Sequence, residues 1–290
     1  MPAPPTANRS VACWLTFEMD VDTSIALQVA VAPSAGPVVA ETMSLTLDGV
    51  PIEASASLMG TGGGRVHVVG TGAGTLRVTY EATVGPAPGL AVEQQGAGPV
   101  AGRGGGGLVF DAASITALLQ SAYCRSDLLA GFAAAELGAH RGEPDLPERV
   151  GAWVFERLAY QPGSSGPLDS SVETLLTNTG VCRDFAHLTI ALLRALGVPA
   201  RLAAVYAPGL SPMDFHAVVE ARTPAGWKVV DATRLAPRSS LVRITTGRDA
   251  ADTAFATTLR GNAELVASSV FAVIEGGLPA DDHTSATFLA

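Results

Sequence analysis

Short runs of β-forming residues, separated by turn residues, make up the beginning of the chain. Apolar and polar side chains alternate in Leu76-Arg77-Val78-Thr79-Tyr80, as they do in a strand with one buried face. Asp48-Gly49 and Gly62-Gly63-Gly64 supply turns between such strands. The pattern predicts an antiparallel β-sandwich. Its expected strands cover residues 11–17, 25–31, 42–47, 65–69 and 76–80.

The composition changes in the middle of the chain. Residues 85–107 are rich in glycine, proline and alanine, which favours a linker or a crossing loop over a packed element. A chain of 290 residues also exceeds the usual size of a single domain. We therefore predict a β-sandwich domain at residues 1–105 and a second domain at residues 106–290, which ends in a C-terminal tail.

Helical spacing of apolar residues dominates after the linker. The most apolar of these helices is expected to begin at Cys182 and to stop at Gly197, before Val198-Pro199, and its apolar face predicts a central, buried position. The strands expected to follow it include 216–222 and 227–233, joined as a hairpin. Other helices are predicted at 114–120, 128–137, 148–158 and up to residue 176, and other strands at 200–206 and 266–274. The whole chain is therefore assigned to the α+β class.

Charge and targeting signals exclude several classes of partner. The net charge is -9 and no cluster of Lys or Arg offsets it, which opposes binding to nucleic acid or to an anionic membrane. The N-terminus lacks the basic and apolar regions of a signal peptide, and no apolar run approaches the length of a membrane span. We expect a cytoplasmic protein that binds no nucleic acid and no membrane.

Cysteine is the residue type that suggests chemistry. The three cysteines, Cys13, Cys124 and Cys182, are odd in number and far apart, so reduced thiols are expected. Cys182 follows Gly180-Val181 and opens a helix, where unpaired amides and the helix dipole favour the reactive thiolate. Gly180 would permit a sharp turn and the approach of a substrate backbone, and the amide of Cys182 could donate to an oxyanion.

A nucleophilic cysteine needs a base, and the base needs a group that orients it. A hairpin turn near Thr223-Pro224-Ala225 gives paired positions that sum to 447 or 449. Either register brings His216 and Asp231 together on one sheet face, as direct or diagonal neighbours, whereas a slip of one residue separates them. Spacing alone leaves other interpretations open: a structural thiol, a hydrogen-bonded strand histidine and an aspartate that supports a turn.

A metal site is the other chemistry that these residue types allow. Cys182, His187, His216 and Asp231 are possible zinc ligands, but no Cys-x-x-Cys or His-x-x-x-His spacing supports such a site. We predict neither a metal nor a cofactor.

Four motifs together resemble the bacterial transglutaminase-like superfamily. The motifs are residues 180–187, 197–201, 214–217 and 226–233, and their order and spacing match those of the family. The resemblance as a whole covers about residues 158–252. The resemblance implies a papain-like core behind an N-terminal β-rich domain, with a catalytic triad of Cys182, His216 and Asp231. Phe215 and Val218 depart from the pattern of many relatives, and these departures concern the shape of the pocket.

Residues around the implied triad carry further expectations. Gly180, Val181 and Trp227 are candidates for the oxyanion site or for lining the cleft, although packing against the helix is the simpler role for Trp227. His187 lies five positions after Cys182 and points away from the thiol, so it is expected to pack in the core. Asp184 is expected to cap the helix or to complement its dipole.

The predicted function is that of a cysteine hydrolase. Cys182 would attack a peptide or carboxamide bond of a peptide or protein substrate and form a thioester acyl-enzyme. The alternatives are a protein-glutamine acyltransferase, in which an amine replaces water, and a non-catalytic interaction protein that retains the fold. The identity of the substrate and the oligomeric state do not follow from the sequence.

Overall fold

The structure is a computed structural model, and it describes residues 7–86 and 111–289. Almost all of the predicted linker at 85–107 lies outside these residues. The strands, in chain order, are β1 (Arg9–Met19), β2 (Thr23–Leu27), β3 (Val38–Leu47), β4 (Val50–Ile52), β5 (Ala56–Met59), β6 (Arg65–Thr71), β7 (Gly74–Val84), β8 (Ala159–Tyr160), β9 (Thr179–Gly180), β10 (Ala200–Tyr206), β11 (Phe215–Thr223), β12 (Gly226–Val230), β13 (Val242–Gly247), β14 (Ala256–Arg260) and β15 (Glu264–Ile274). The helices are α1 (Ala112–Thr116), α2 (Ser126–Leu137), α3 (Leu146–Arg157), α4 (Ser171–Thr177), α5 (Cys182–Ala195) and α6 (Ala250–Thr253).

Two antiparallel sheets enclose the N-terminal core. One sheet has the order β15-β1-β7-β3-β4 and the other has the order β14-β2-β6-β5. Strand β1 shows why they form, because Val11, Cys13 and Leu15 are buried while Trp14 on the other face is exposed. The expected β-rich N-terminal region of an α+β fold is confirmed.

The last two strands return to the N-terminal sheets. Strand β14 pairs with β2, and β15 pairs with β1 along almost its full length. The sequence predicted a C-terminal tail of the second domain here, and it did not predict that these strands pair with the N-terminal sheets. Nothing local in the sequence marks a partner strand more than two hundred residues away. The predicted division at residues 105 and 106 falls outside the described residues and stays a prediction.

A buried helix organises the second half. Helix α5 contacts α2, α3 and α4, and it also packs on β10 and β11 of a sheet ordered β12-β11-β10-β13. Leu188, Ile190, Leu192 and Leu193 are each fully buried. A helix that is apolar on so much of its surface is stable only inside a core, so the predicted central position is confirmed. No helix within the two described segments is long and apolar enough to cross a bilayer.

The β12-β11-β10-β13 sheet and the sandwich share buried contacts. Tyr206 on β10 donates its hydroxyl to the carbonyl of Val29 at 2.8 Å, and both groups are buried. The amide of Thr246 on β13 donates to the carbonyl of Gly62 at 3.2 Å, so a glycine loop of the sandwich covers this sheet edge. These contacts join the two halves over a wide area.

Gly62 gives a test of this junction. A Cβ atom at Gly62 would overlap the carbonyl oxygen of Thr246, whereas one at Gly72 would meet only Asp22 Oδ1 at 3.7 Å. We expect Gly62→Ala to lower the free energy of unfolding by about 1–3 kcal/mol, because the loop must move off β13. Gly72→Ala is the matched control, and denaturant unfolding measures both. Equal stability of the two variants would show that the loop contact contributes nothing.

Candidate active site

Local structure places Cys182 at the start of α5. A capping box of Ser170 and Glu173 begins α4, and Asn178 ends it in the left-handed conformation with a φ of 55°. Strand β9 then pairs in parallel with β8, and Val181 becomes the N-cap of α5. Cys182 is therefore the first helical residue, near the positive end of the helix dipole.

Asp184 holds this turn in place. Its Oδ2 accepts the amide of Val181 at 2.8 Å and its Oδ1 accepts the hydroxyl of Ser165 at 2.9 Å. The predicted capping role of Asp184 is confirmed. The amide of Val181 is consequently occupied, so Val181 does not supply an oxyanion donor.

Gly180 is required because a side chain at this position would collide with a neighbouring residue. A Cβ atom at this position would lie 2.6 Å from Cβ of Asp184. The glycine thus makes room for the capping aspartate, and the predicted approach of a substrate backbone stays a prediction.

His216 and Asp231 meet as one of the two predicted registers requires. Arg222 pairs with Trp227, which gives the sum 449, and the ladder ends at Val219 and Val230. Asp231 follows directly and is a diagonal neighbour of His216. Nε2 of His216 lies 2.9 Å from Oδ2 of Asp231, and both side chains are buried.

Thr233 completes the surroundings of Asp231. Its amide and its hydroxyl both donate to Oδ1 of Asp231, at 2.9 and 2.7 Å. Burial raises the pKa of Asp231, but the charge of His216 and the hydrogen bonds from His216 and Thr233 outweigh it and hold the pKa below its usual value. Asp231 is therefore an oriented carboxylate with both oxygens bonded. The sequence analysis missed Thr233, and its position two residues after Asp231 was the available signal.

The second ring nitrogen of His216, Nδ1, is not bonded to Asp231 and is available to Cys182. Nδ1 is buried and makes no hydrogen bond that meets normal geometry with any residue in the described segments. Burial lowers the pKa of His216, but the charge and hydrogen bond of Asp231, together with the contact to Cys182, raise it well above its usual value. Catalytic hydrogen bonds are often long before substrate binds. Cys182, His216 and Asp231 are thus brought together in that order.

Tyr160 is a site residue that the sequence analysis did not identify. It pairs with Gly180 across β8 and β9, and its ring lies 5.8 Å from the ring of Phe185. Burial and the charge of Cys182 raise the pKa of Tyr160 to about 12, while a hydrogen bond from the amide of Cys182 opposes part of this rise. The phenol therefore stays protonated beside the thiol. A pair of two-residue strands leaves no periodic pattern, so Tyr160 has no signal in the sequence.

Trp227 lies elsewhere, contrary to its prediction as a site-lining residue. Its ring lies between two guanidinium groups, 4.1 Å from Arg201 and 5.6 Å from Arg222. Its partner Arg222 is six residues from His216 along β11, which is roughly 20 Å at 3.3 Å per residue. Cation–π contacts explain its position, and it does not pack against α5 as the simpler prediction had it.

The remaining candidate groups are structural. His187 is buried, stacks on Tyr123 at 5.2 Å and accepts the amide of Ala250 at 3.1 Å. Burial lowers the pKa of His187 to about 3, so its ring is neutral, and the predicted packing role is confirmed. Cys13 and Cys124 are buried, and burial raises the pKa of their thiols to about 11 and about 12.

Comparison with known proteins identifies the family of the domain that contains Cys182, His216 and Asp231. Residues 133–232 match the model of the transglutaminase-like superfamily. This match identifies residues 133–232 as a transglutaminase-like domain.

Two relatives extend the comparison. An uncharacterized protein of Mycobacterium leprae is 33% identical over 110 residues, and the alignment covers 35% of this chain but only 39% of that relative. A proposed cysteine protease from Cytophaga hutchinsonii has a structure with a TM-score of 0.82 and 29% identity, covering 96% of this chain and 95% of that one. The second likeness includes the β-rich part as well as the core.

Replacing Asp231 tests the electrostatics of the site. We expect Asp231→Asn to lower the pKa of His216, because burial then acts without the carboxylate that opposes it. The imidazolium form, which exists below the folded pKa, would then be lost at a lower pH than in the unmodified chain. NMR titration of labelled histidine measures this, with His216→Gln to assign the signal.

Asp214→Asn is the matched control, because its carboxylate accepts the amide of Phe215 at 2.7 Å and does not bond to His216. An unchanged His216 titration in Asp231→Asn would contradict the arrangement. So would an equal shift in both variants.

Proposed function

We propose that this chain is a cysteine hydrolase that cleaves a peptide or carboxamide bond through a thioester. The observation that carries the proposal is the position of His216. One ring nitrogen is fixed by Asp231 at 2.9 Å, and the other has no partner in the described segments except the neighbouring Cys182. This is the arrangement that nucleophilic catalysis by cysteine requires.

The reaction proceeds in two halves. Sγ of Cys182 bonds to the carbonyl carbon of the substrate, and the thiol proton passes to Nδ1 of His216. The tetrahedral intermediate then collapses: the C–N bond breaks, the amine leaves with the proton from His216, and a thioester remains. Water next attacks the thioester while His216 removes its proton, and the C–S bond breaks to release a carboxylate and the free thiol.

The oxyanion is held by the amide of Cys182 and the hydroxyl of Tyr160. The amide lies at the start of α5, where the first N–H groups have no partner within the helix. Before substrate binds, this amide donates to the hydroxyl of Tyr160, and the oxyanion would replace that hydroxyl oxygen as its acceptor. The raised pKa of Tyr160 keeps its O–H as the second donor. Val181 and Trp227 contribute no donor for the reasons given above.

Hydrolysis is favoured over transfer to an amine. The structural relative from Cytophaga hutchinsonii is described as a proposed cysteine protease, and it resembles this chain over nearly its full length. That likeness supports a peptide or protein substrate. The three free thiols support a reducing compartment such as the cytoplasm.

The central experiment screens peptides and glutamine-containing acyl donors for turnover. We expect release of an amine and a carboxylate, and a covalent acyl adduct on Cys182 visible by mass spectrometry after rapid quenching. Cys182→Ser should abolish the adduct and reduce turnover by several orders of magnitude. Adding a primary amine distinguishes the acceptors, since an amide product identifies an acyltransferase.

Thiol alkylation tests the non-catalytic alternative independently of any substrate. Iodoacetamide should label Cys182 faster than a free thiol at mildly acidic pH, and His216→Ala should slow the labelling. Labelling at the rate of a free thiol, unchanged in His216→Ala, would exclude the catalytic proposal.

Tyr160 is tested by removing one oxygen atom. We expect Tyr160→Phe to lower kcat by about 10²–10³, which is the usual effect of losing one oxyanion donor. KM should change much less, because the interaction forms mainly in the transition state. Tyr123→Phe is the control, since Tyr123 stacks on His187 away from the thiol. A kcat for Tyr160→Phe equal to that of the control would remove Tyr160 from the mechanism.

A further inference from the structure

Strand β15 ends one sheet of the sandwich and differs from the other sheet edges. Strands β4, β5 and β14 are short, and β4 contains Pro51. The edge of β12 is covered by C-terminal residues, with the amide of Val229 donating to the carbonyl of Thr287 at 2.8 Å. The edge of β13 is covered by Gly62. Strand β15 has 11 residues and, among residues 7–86 and 111–289, pairs only with β1.

The sequence of β15 carries none of the usual protection of an edge. Residues 264–274 contain no lysine, arginine or proline, and their only ionisable group is Glu264 at the start. Natural proteins avoid pairing at long edges by placing lysine, proline or a bulge there. The register is regular from Ala267 onward, because the single irregularity lies at the beginning of the strand.

The direction of the free backbone groups follows from the ladder. Asn8 lies opposite Glu275 by extension of the register, and the amide of Glu275 donates to the carbonyl of Asn8 at 3.0 Å. In an antiparallel pair, alternate residues bond to the same partner strand. Residues 267, 269, 271 and 273 therefore bond to β1. The N–H and C=O groups of residues 268, 270, 272 and 274 point away from it.

We infer that the partner of this edge is the β15 strand of a second copy of the chain, paired antiparallel about a two-fold axis at Ser269. Around that axis residue 268 of one copy meets residue 270 of the other, so free backbone groups of both copies meet. Glu264 falls opposite Ile274, and no two like charges face each other. The inference goes beyond the proposed function and is independent of it.

Side chains beside the axis favour the same partner. On the outer face Trp14 lies opposite Ser269 and is 41% exposed, and Phe271, opposite Ala12, is 40% exposed. They line one side of a shallow groove of about 400 Å³, which continues over β7 and β3 past Glu81 and Glu41. Two-fold pairing brings the Phe271 of each copy opposite Ala267 of the other and places both Trp14 rings near the axis. An apolar patch on each copy thereby meets its own counterpart, as an isologous interface requires.

The test is the concentration dependence of the mass of the full chain, measured by sedimentation equilibrium. We expect a reversible dimer in the unmodified chain. Ser268→Pro should raise the dimer Kd at least about tenfold, because proline removes an outward N–H, and it should be tolerated since β1 does not use that group. Ser268→Ala retains the N–H and is the matched control, which should dimerise normally.

A second variant reports on the register and does not depend on how proline is accommodated. Ser269→Lys places two ammonium groups opposite each other at the axis, so its dimer should weaken at low salt and recover at high salt. Thermal unfolding and Cys182 alkylation check that each variant folds. A chain that stays monomeric at every concentration would overturn the inference. A dimer that is equally stable in Ser268→Pro and insensitive to Ser269→Lys would also overturn it.

Discussion

The buried contact between His216 and Asp231 is the interaction on which the arrangement of the site depends. Moving a carboxylate and an imidazolium out of water is costly unless each finds a partner of suitable geometry. Here one oxygen of Asp231 bonds to His216 and the other bonds twice to Thr233. The aspartate therefore cannot rotate without losing three hydrogen bonds. That constraint fixes the imidazole, whose other ring nitrogen lies beside Cys182.

The β-sandwich also holds His216 in position, through contacts with the start of β11. Four aromatic rings form a row that starts in the core of the sandwich and includes Phe215, the residue before His216. Tyr80 stacks on Tyr206 at 6.4 Å, Tyr206 contacts Phe215 at 5.5 Å, and Phe215 stacks on Phe255 at 5.0 Å. Phe215, which precedes the histidine where many relatives have a small residue, thus packs against the buried core of the sandwich. Close packing of rings restricts the start of β11 to one position.

Sequence patterns predicted the features that depend on local periodicity. The start of α5 and the hairpin turn follow from spacing, which left two registers open for the pairing of His216 with Asp231. The structure has the register in which paired positions sum to 449, and the transglutaminase-like resemblance added the order of the motifs. The return of β14 and β15 was not predictable, because strand pairing over such a separation leaves no local signal. Tyr160 was missed because a pair of two-residue strands leaves no periodic pattern. Trp227 was misplaced because an aromatic residue near a catalytic motif can equally be held by arginines.

The segment that matches the family model contains Cys182, His216 and Asp231, but it does not contain several residues that hold them in position. It covers residues 133–232 and ends one residue before Thr233, which orients Asp231. It also excludes Phe255, which stacks on Phe215, and strand β13, which contacts Gly62 of the sandwich. The position of His216 therefore depends on residues from both ends of the chain. The three residues of the proposed triad lie within a hundred residues, but their geometry is set by packing that only the longer chain provides.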